Sequence, residues 1–247
     1  MLRCGLDLDG PALALAAASH SGEPGHLEVV RTILAGAGLG EDALRNTPSV
    51  PWDQDAAAAW RAAGRGPSAL AQNCSGKHAA MLATCVGNGW DTASYLDPAH
   101  PLQRAVADAV ADLTGDGPPA HVAVDGCGAP LFSCTVTGLA RAYAALADAA
   151  PGTPEGRVAA AMAAHPWHVA GTGRASVALV AAVPGLVAKE GAEGVFAAAL
   201  PGGRALALKV LDGSSRPVPV LTVALLRALG VAVPGGVGQV PDVVPAW

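Results

Sequence analysis

Along the first half of the chain apolar residues recur three and four positions apart, a spacing that predicts helices. Residues 11–18 read as a short helix with Pro11 in its first turn. From His26 to Gly38 a second helix carries Val29, Val30, Ile33 and Leu34 at core spacing and closes on glycine. Residues 41–45 form a short helical turn, and Asp53 to Ala63 a longer helix between Pro51 and Gly64. Trp52 and Trp60 read there as packing anchors. Residues 79–86 are again helical, end at Gly87-Asn88-Gly89, and place the helix start at Cys74 or Ser75. Pro101 opens a helix to Leu113 with Leu102, Val106 and Val110 on one face, and His100 reads as its structural cap.

The pattern then changes period. Ala120 to Val124 read as a strand running into the glycine-rich turn Asp125-Gly126-Cys127-Gly128-Ala129-Pro130. Pro130 to Ala149 and Pro154 to Ala164 read as helices, and Ala170-Gly171-Thr172-Gly173-Arg174 opens another. Residues 186–191 form a strand. Val195 to Leu200 and Arg204 to Leu211 form a hairpin around Pro201-Gly202-Gly203, and Val218 to Leu229 a last helix. Helices first and consecutive strands late predict an α+β fold with an antiparallel sheet. No internal repeat divides the chain, so residues 1–230 read as one domain and the Pro/Gly-rich residues 231–247 as a loosely ordered tail.

Composition narrows the class. At 247 residues the chain can bury a sizeable core, and with 14% charged residues and a net charge of −5 nothing points to a nucleic-acid or membrane partner. The N-terminus shows no signal-peptide pattern, which predicts a cytoplasmic protein. The cysteines number five, at positions 4, 74, 85, 127 and 134, and an odd set in a chain this long argues for reduced thiols open to metal or catalytic use.

The densest chemistry lies in Asn73-Cys74-Ser75-Gly76-Lys77-His78. With Cys74 in the first turn, Lys77 and His78 project from the same helix face, so thiol, amine and imidazole converge. A helix N-terminus and a nearby cation both favour thiolate. Lys77 is also one of only three lysines, against twelve arginines, and lysine can give up its proton when buried. A capped surface helix with an incidental cysteine would explain Ser75 but not the rest. Asp125 and Cys127 sit on a tight exposed turn where backbone can approach a ligand, unless that turn simply buries a small cysteine. Ser19-His20-Ser21-Gly22-Glu23 holds either a nucleophile with its base or an ordinary polar turn. Gly171, Thr172 and Gly173 can present N–H groups to an anion with Arg174 beside them, or merely cap a helix.

Together with His100-Pro101-Leu102-Gln103 and Lys189-Glu190-Gly191-Ala192-Glu193-Gly194, these motifs resemble the bacterial L-asparaginase II family of the Rhizobium type, in the family's order over nearly the whole chain. The resemblance implies a fold like that of serine β-lactamases and penicillin-binding proteins. It implies hydrolysis of L-asparagine to L-aspartate and ammonia through a serine acyl-enzyme with a lysine partner. It assigns Ser19, Lys77, His78 and Asp125 to catalysis and His20, Ser21, Gly126 and Arg174 to substrate binding. It further implies a Zn2+ ion, structural or pocket-positioning, on Cys74, Lys77 and Cys127 with water as the last ligand; lysine is unusual there and ligates only when neutral. It leaves open a homodimer and the choice between asparagine and glutamine.

One departure stands out. The family carries a Ser-x-x-Lys motif upstream, and no such motif occurs here: Cys74, Leu186 and Leu206 stand three residues before the lysines. The expectation is therefore an N-terminally incomplete chain whose attacking serine lies outside this sequence. Two other readings remain, an inactive zinc- or amino-acid-binding remnant, and Cys74-x-x-Lys77 acting as nucleophile and base in place of Ser-x-x-Lys.

Overall fold

The computed structural model describes residues 1–237. Its elements run α1 (Gly10–Ala16), α2 (Pro24–Gly36), α3 (Gln54–Ala62), α4 (Ser75–Asn88), α5 (Pro101–Thr114), β1 (Val122–Val124), β2 (Pro130–Phe132), α6 (Val136–Asp148), α7 (Pro154–Ala164), α8 (Pro166–Val169), α9 (Ala175–Ala182), β3 (Val187–Glu190), β4 (Val195–Leu200), β5 (Arg204–Lys209) and α10 (Val218–Ala228). The fold is α+β. No helix among the described residues is long and apolar enough to cross a membrane.

The late strands form one antiparallel sheet in the order β3-β4-β5, with Ala198 opposite Leu206 and Ala188 opposite Ala198. Strand alternation sorts β4 into two faces. Phe196, Ala198 and Leu200 join Leu179 and Val180 of α9 and Val223 and Leu226 of α10 in one apolar cluster. That leaves Ala197 and Ala199 toward the other side, where α6 packs on β4 and β5; small side chains there let the helix approach closely. A second cluster, with Leu15, Val30, Leu34, Leu82, Tyr95 and Leu102, joins α1, α2, α4 and α5. A third ties Leu13 and Ala14 of α1 to Met162 of α7, Val169 of α8 and Val187 of β3, so the helical half and the sheet meet through α1.

The helix expected over 130–149 is broken. Pro130–Phe132 pairs instead with Val122–Val124, and α6 begins only after Thr135, whose hydroxyl accepts the Gly138 N–H at 2.8 Å. A proline at a strand's first position costs no ladder bond, and a threonine cap makes a better helix start. The hairpin so formed holds the Asp125–Ala129 turn. The short α8 was not legible in the sequence. Of the residues read as a tail, Val231 and Val233 are buried against the sheet cluster, and residues 238–247 lie outside the described residues. Trp52, read as a packing anchor, is 52% exposed.

Helices α1 and α4 cross where Gly76 faces Leu15. A Cβ at position 76 would lie 2.5 Å from the Leu15 carbonyl oxygen and 2.7 Å from its Cγ. Gly76→Ala gains helix propensity of about 1 kcal/mol at most, but a clash with backbone costs about 1–3 kcal/mol. The expected outcome is a net loss of about 1 kcal/mol, read as a lower urea midpoint at unchanged m-value.

Candidate active site and metal-binding group

Ser19 lies just beyond α1 in a loop fixed from two sides. Its N–H donates to the Val169 carbonyl at 3.1 Å, and the N–H of His20 donates to the Asn73 carbonyl at 2.9 Å, joining the loop to the start of α4. On β3, alternation puts Val187 and Lys189 on one face and Ala188 on the other. Val187 packs on Leu13 and Ala14 of α1, so Lys189, two residues on, reaches past the end of that helix. Its Nζ donates to Ser19 Oγ at 2.8 Å and to the Glu190 carbonyl at 2.7 Å.

Burial pulls the Lys189 amine down to about 8, against the opposing pull of Cys74 and Glu190, while Arg174 and Lys77 reinforce the shift. A neutral amine is thus within reach near physiological pH, set against a hydroxyl. A cavity of about 800 Å3 opens over this pair and is lined also by Cys74, Lys77, Asp125 and Arg174.

Across the cavity, two thiols and a carboxylate meet. Cys74 precedes the first turn of α4, and Asp125 and Cys127 come from the β1–β2 turn, where the Gly126 N–H donates to Asp125 Oδ1 at 2.8 Å. The ligating atoms of Cys74, Asp125 and Cys127 all lie within 4.8 Å of one another. The thiols interact. Sharing a hydrogen bond with Cys127 draws Cys74 down to about 6, with help from Lys77 against burial, whereas Cys127 is pushed up to about 12 by Cys74 and by burial. The pair therefore holds one proton and one negative charge.

Lys77 answers that charge. Its Nζ is 3.3 Å from Asp125 Oδ2. Burial works to lower its pKa, but Cys74, Cys127 and Asp125 outweigh burial and raise it above the ordinary lysine value. Burial works to raise Asp125, but Lys77, Cys127 and the Gly126 N–H hold it below the ordinary carboxylate range. The two cavity lysines are thus driven apart, Lys189 toward neutral and Lys77 toward charged.

His78 is buried behind this group and does not line the cavity. Its Nδ1 meets the Tyr95 hydroxyl at 2.7 Å, and that hydroxyl also accepts the Arg45 N–H at 3.1 Å. Assigning the network this way leaves the proton on Nε2, an atom without a hydrogen-bond partner, and His78 pulls the Cys127 thiol down.

His20 and Ser21 also stand outside the cavity lining. His20 Nε2 meets Ser75 Oγ at 3.0 Å while its Nδ1 accepts the Gly22 N–H at 3.1 Å, and burial pulls it down to about 3, so it is a neutral strap between the Ser19 loop and α4. Ser21 donates to the Ala170 carbonyl at 2.8 Å. Gly126 does line the cavity. Arg174 lines it too but is paired with Glu190, donating through Nε at 3.0 Å and through Nη2, and stacks over Trp52 at 5.4 Å. The N–H of Thr172, open in the sequence to an anion or to a helix-capping role, donates to Glu23 Oε1 at 2.8 Å, so this loop's anion is the protein's own carboxylate.

Lys189 was missed as a site residue. Its signal was the strand alternation that puts it beside Val187, on an inward face where one of only three lysines has no ordinary reason to stand.

An α+β fold that holds a serine hydroxyl on a desolvated lysine amine has the equipment for nucleophilic acyl transfer. The chain belongs to the L-asparaginase II family, whose sequence model matches residues 1–244. No curated protein matches it.

Proposed function

We propose that this chain hydrolyses the side-chain amide of L-asparagine, giving L-aspartate and ammonia through an acyl-enzyme on Ser19, in place of the serine expected outside the sequence, with Lys189 as its base. The observation that carries this reading is the 2.8 Å contact between Lys189 Nζ and Ser19 Oγ, made by an amine that burial lowers to about 8. Ser19 Oγ attacks the amide carbon as its proton passes to neutral Lys189. The tetrahedral intermediate then expels ammonia with that proton, and a water activated by the freed amine hydrolyses the ester. Lys77, charged and in the same cavity, is the positive group available to the oxyanion. Arg174 is placed to share its charge between Glu190 and the substrate carboxylate. Helices on both faces of an antiparallel sheet fit the serine β-lactamase-like arrangement that the resemblance implies.

The thiol group fits zinc. Two sulfurs from separate elements, one of them drawn toward thiolate, and a carboxylate at mutual distances under 4.8 Å match its donor preference. Cys74, Cys127 and Asp125 would hold the ion, with Lys77 within 3.3 Å of Asp125 and able to ligate only after losing its proton. When bound, zinc would join α4 to the β1–β2 turn and add positive charge to the cavity wall.

Ammonia release from asparagine, followed with a coupled assay, tests the reading. Wild type is expected to turn over and Ser19→Ala to fall to background, with a melting temperature within a few degrees of wild type. A folded, zinc-loaded wild-type chain with no turnover would favour the inactive remnant instead.

A further inference from the structure

A second cavity of about 480 Å3 lies beyond the Arg174–Glu190 pair, between the far ends of β3 and β4, α9 and α10. It adjoins the reacting cavity through Trp52, Arg174 and the turn from Glu190 to Glu193 with Val195, while its α9 and α10 wall belongs to it alone. Its walls are largely apolar: Leu179 from α9, Phe196 from β4, and Val218 and Val223 from α10. A volume of this size is that of a small-molecule site rather than a packing defect.

Two buried hydroxyls in the lining stand without a hydrogen-bond partner. Thr222 is 1% exposed, lines the cavity, and its Oγ1 makes no hydrogen bond. A buried hydroxyl left unpaired carries a desolvation cost that a ligand group could remove. Ser176 Oγ, close against the Glu190 carboxylate, likewise lacks hydrogen-bond geometry, while its backbone N–H donates to Glu190 Oε1 at 3.1 Å.

Charge narrows the ligand further. Arg174 is paired with Glu190 and borders the reacting cavity as well, while the carboxylates of Glu190 and Glu193 both line this one, so an anionic ligand is disfavoured here. Glu193 also has φ +57°, the only non-glycine residue with positive φ among the described residues, at the junction of the two cavities. Such backbone settings cluster where a ligand is held.

We propose that this cavity binds a small, uncharged, mostly apolar molecule carrying a single hydroxyl or amide group, with the polar group on Thr222 and the apolar body between α9 and α10. The wall formed by Val218, Thr222 and Val223 lies outside the amide-hydrolysing cavity, and the test reads binding rather than turnover.

Octan-1-ol titrated into the full chain by calorimetry provides that test. Saturable binding is expected with octan-1-ol and none with octanoate. Thr222→Val, which keeps the shape and removes the hydroxyl, should weaken octan-1-ol by about tenfold, the worth of a buried hydrogen bond. Val223→Phe, which fills the cavity from α10, should abolish binding. Urea titration of each variant distinguishes a binding loss from unfolding. Absence of saturable binding to wild type, equal affinity for octanoate, or unchanged affinity in folded Thr222→Val or Val223→Phe would overturn the proposal.

Discussion

Lys189→Met is expected to lower asparagine turnover by about 10²–10⁴-fold, the usual worth of a positioned general base, while making the protein more stable near neutral pH. The two effects have one origin. Burial holds the amine at about 8 against 10.5 for a free lysine, so below pH 8 the folded chain carries an ammonium that its surroundings disfavour. Methionine matches the volume without the charge. The folded value lies below the unfolded one, so between about pH 8 and 10.5 the unfolded chain binds more protons and this site's contribution to stability rises with pH. The advantage of Lys189→Met, at most about 3 kcal/mol below pH 8, should therefore shrink across that window and vanish above it. Urea denaturation at pH 7 and pH 10 reads the difference between the two proteins directly and so cancels the tyrosines and thiols, which titrate in both. Wild-type kcat/KM should rise with pH through about 8, falling tenfold per unit below that value, because only the neutral amine accepts the serine proton. A variant that loses activity but not stability cost, or a rate flat from pH 6 to 9, would remove Lys189 from the base role.

The reason this pair escaped the sequence reading is physical. Ser19 and Lys189 are 170 positions apart, and nothing in local spacing connects a loop after α1 to a strand near the other end of the chain. Alternation along β3 makes Lys189 inward-facing, but which inward neighbour it meets depends on α1 lying across Val187, a tertiary fact. By contrast, the convergence of Cys74 and Lys77 followed from helix geometry alone, and the glycines around Cys127 marked a turn that could approach them. For His20 and Ser21 the sequence leaves a displayed pair and an ordinary polar turn equally open, because spacing does not register burial; in the fold both turn inward to pair with a neighbouring hydroxyl and a backbone carbonyl, since an unpaired buried polar group is costly. The break in the 130–149 helix arose because helical periodicity alone cannot register that residues 130–132 have a strand partner at 122–124.

Cys127→Ser is expected to reduce bound zinc from about one per chain to near zero, since a serine hydroxyl is a poor substitute for a soft thiolate ligand. The loss should be larger than the 10–100-fold that outer partners contribute to metal affinity. Thermal stability should follow. A metal held at about 1,000 times its dissociation constant adds about 4 kcal/mol, and at about 2–4 °C per kcal/mol for a chain of this length the melting temperature should fall by about 10 °C. A strong chelator should produce the same drop in wild type and none in the variant. The site spans two elements, with Cys74 at the start of α4 and Cys127 in the β1–β2 turn, so its loss frees that turn from the helix it faces. The serine–lysine contact needs neither thiol: Ser19 is fixed by Val169 and Lys189 by β3. Turnover should consequently persist in Cys127→Ser, with kcat lowered only as far as Lys77 loses its setting near the oxyanion and not to the background expected of Ser19→Ala. If kcat instead collapses while Ser19 and Lys189 are intact and the protein is folded, the ion belongs to the chemistry and not to the wall of the pocket. Unchanged zinc content in the variant would show that Cys127 is not a ligand at all.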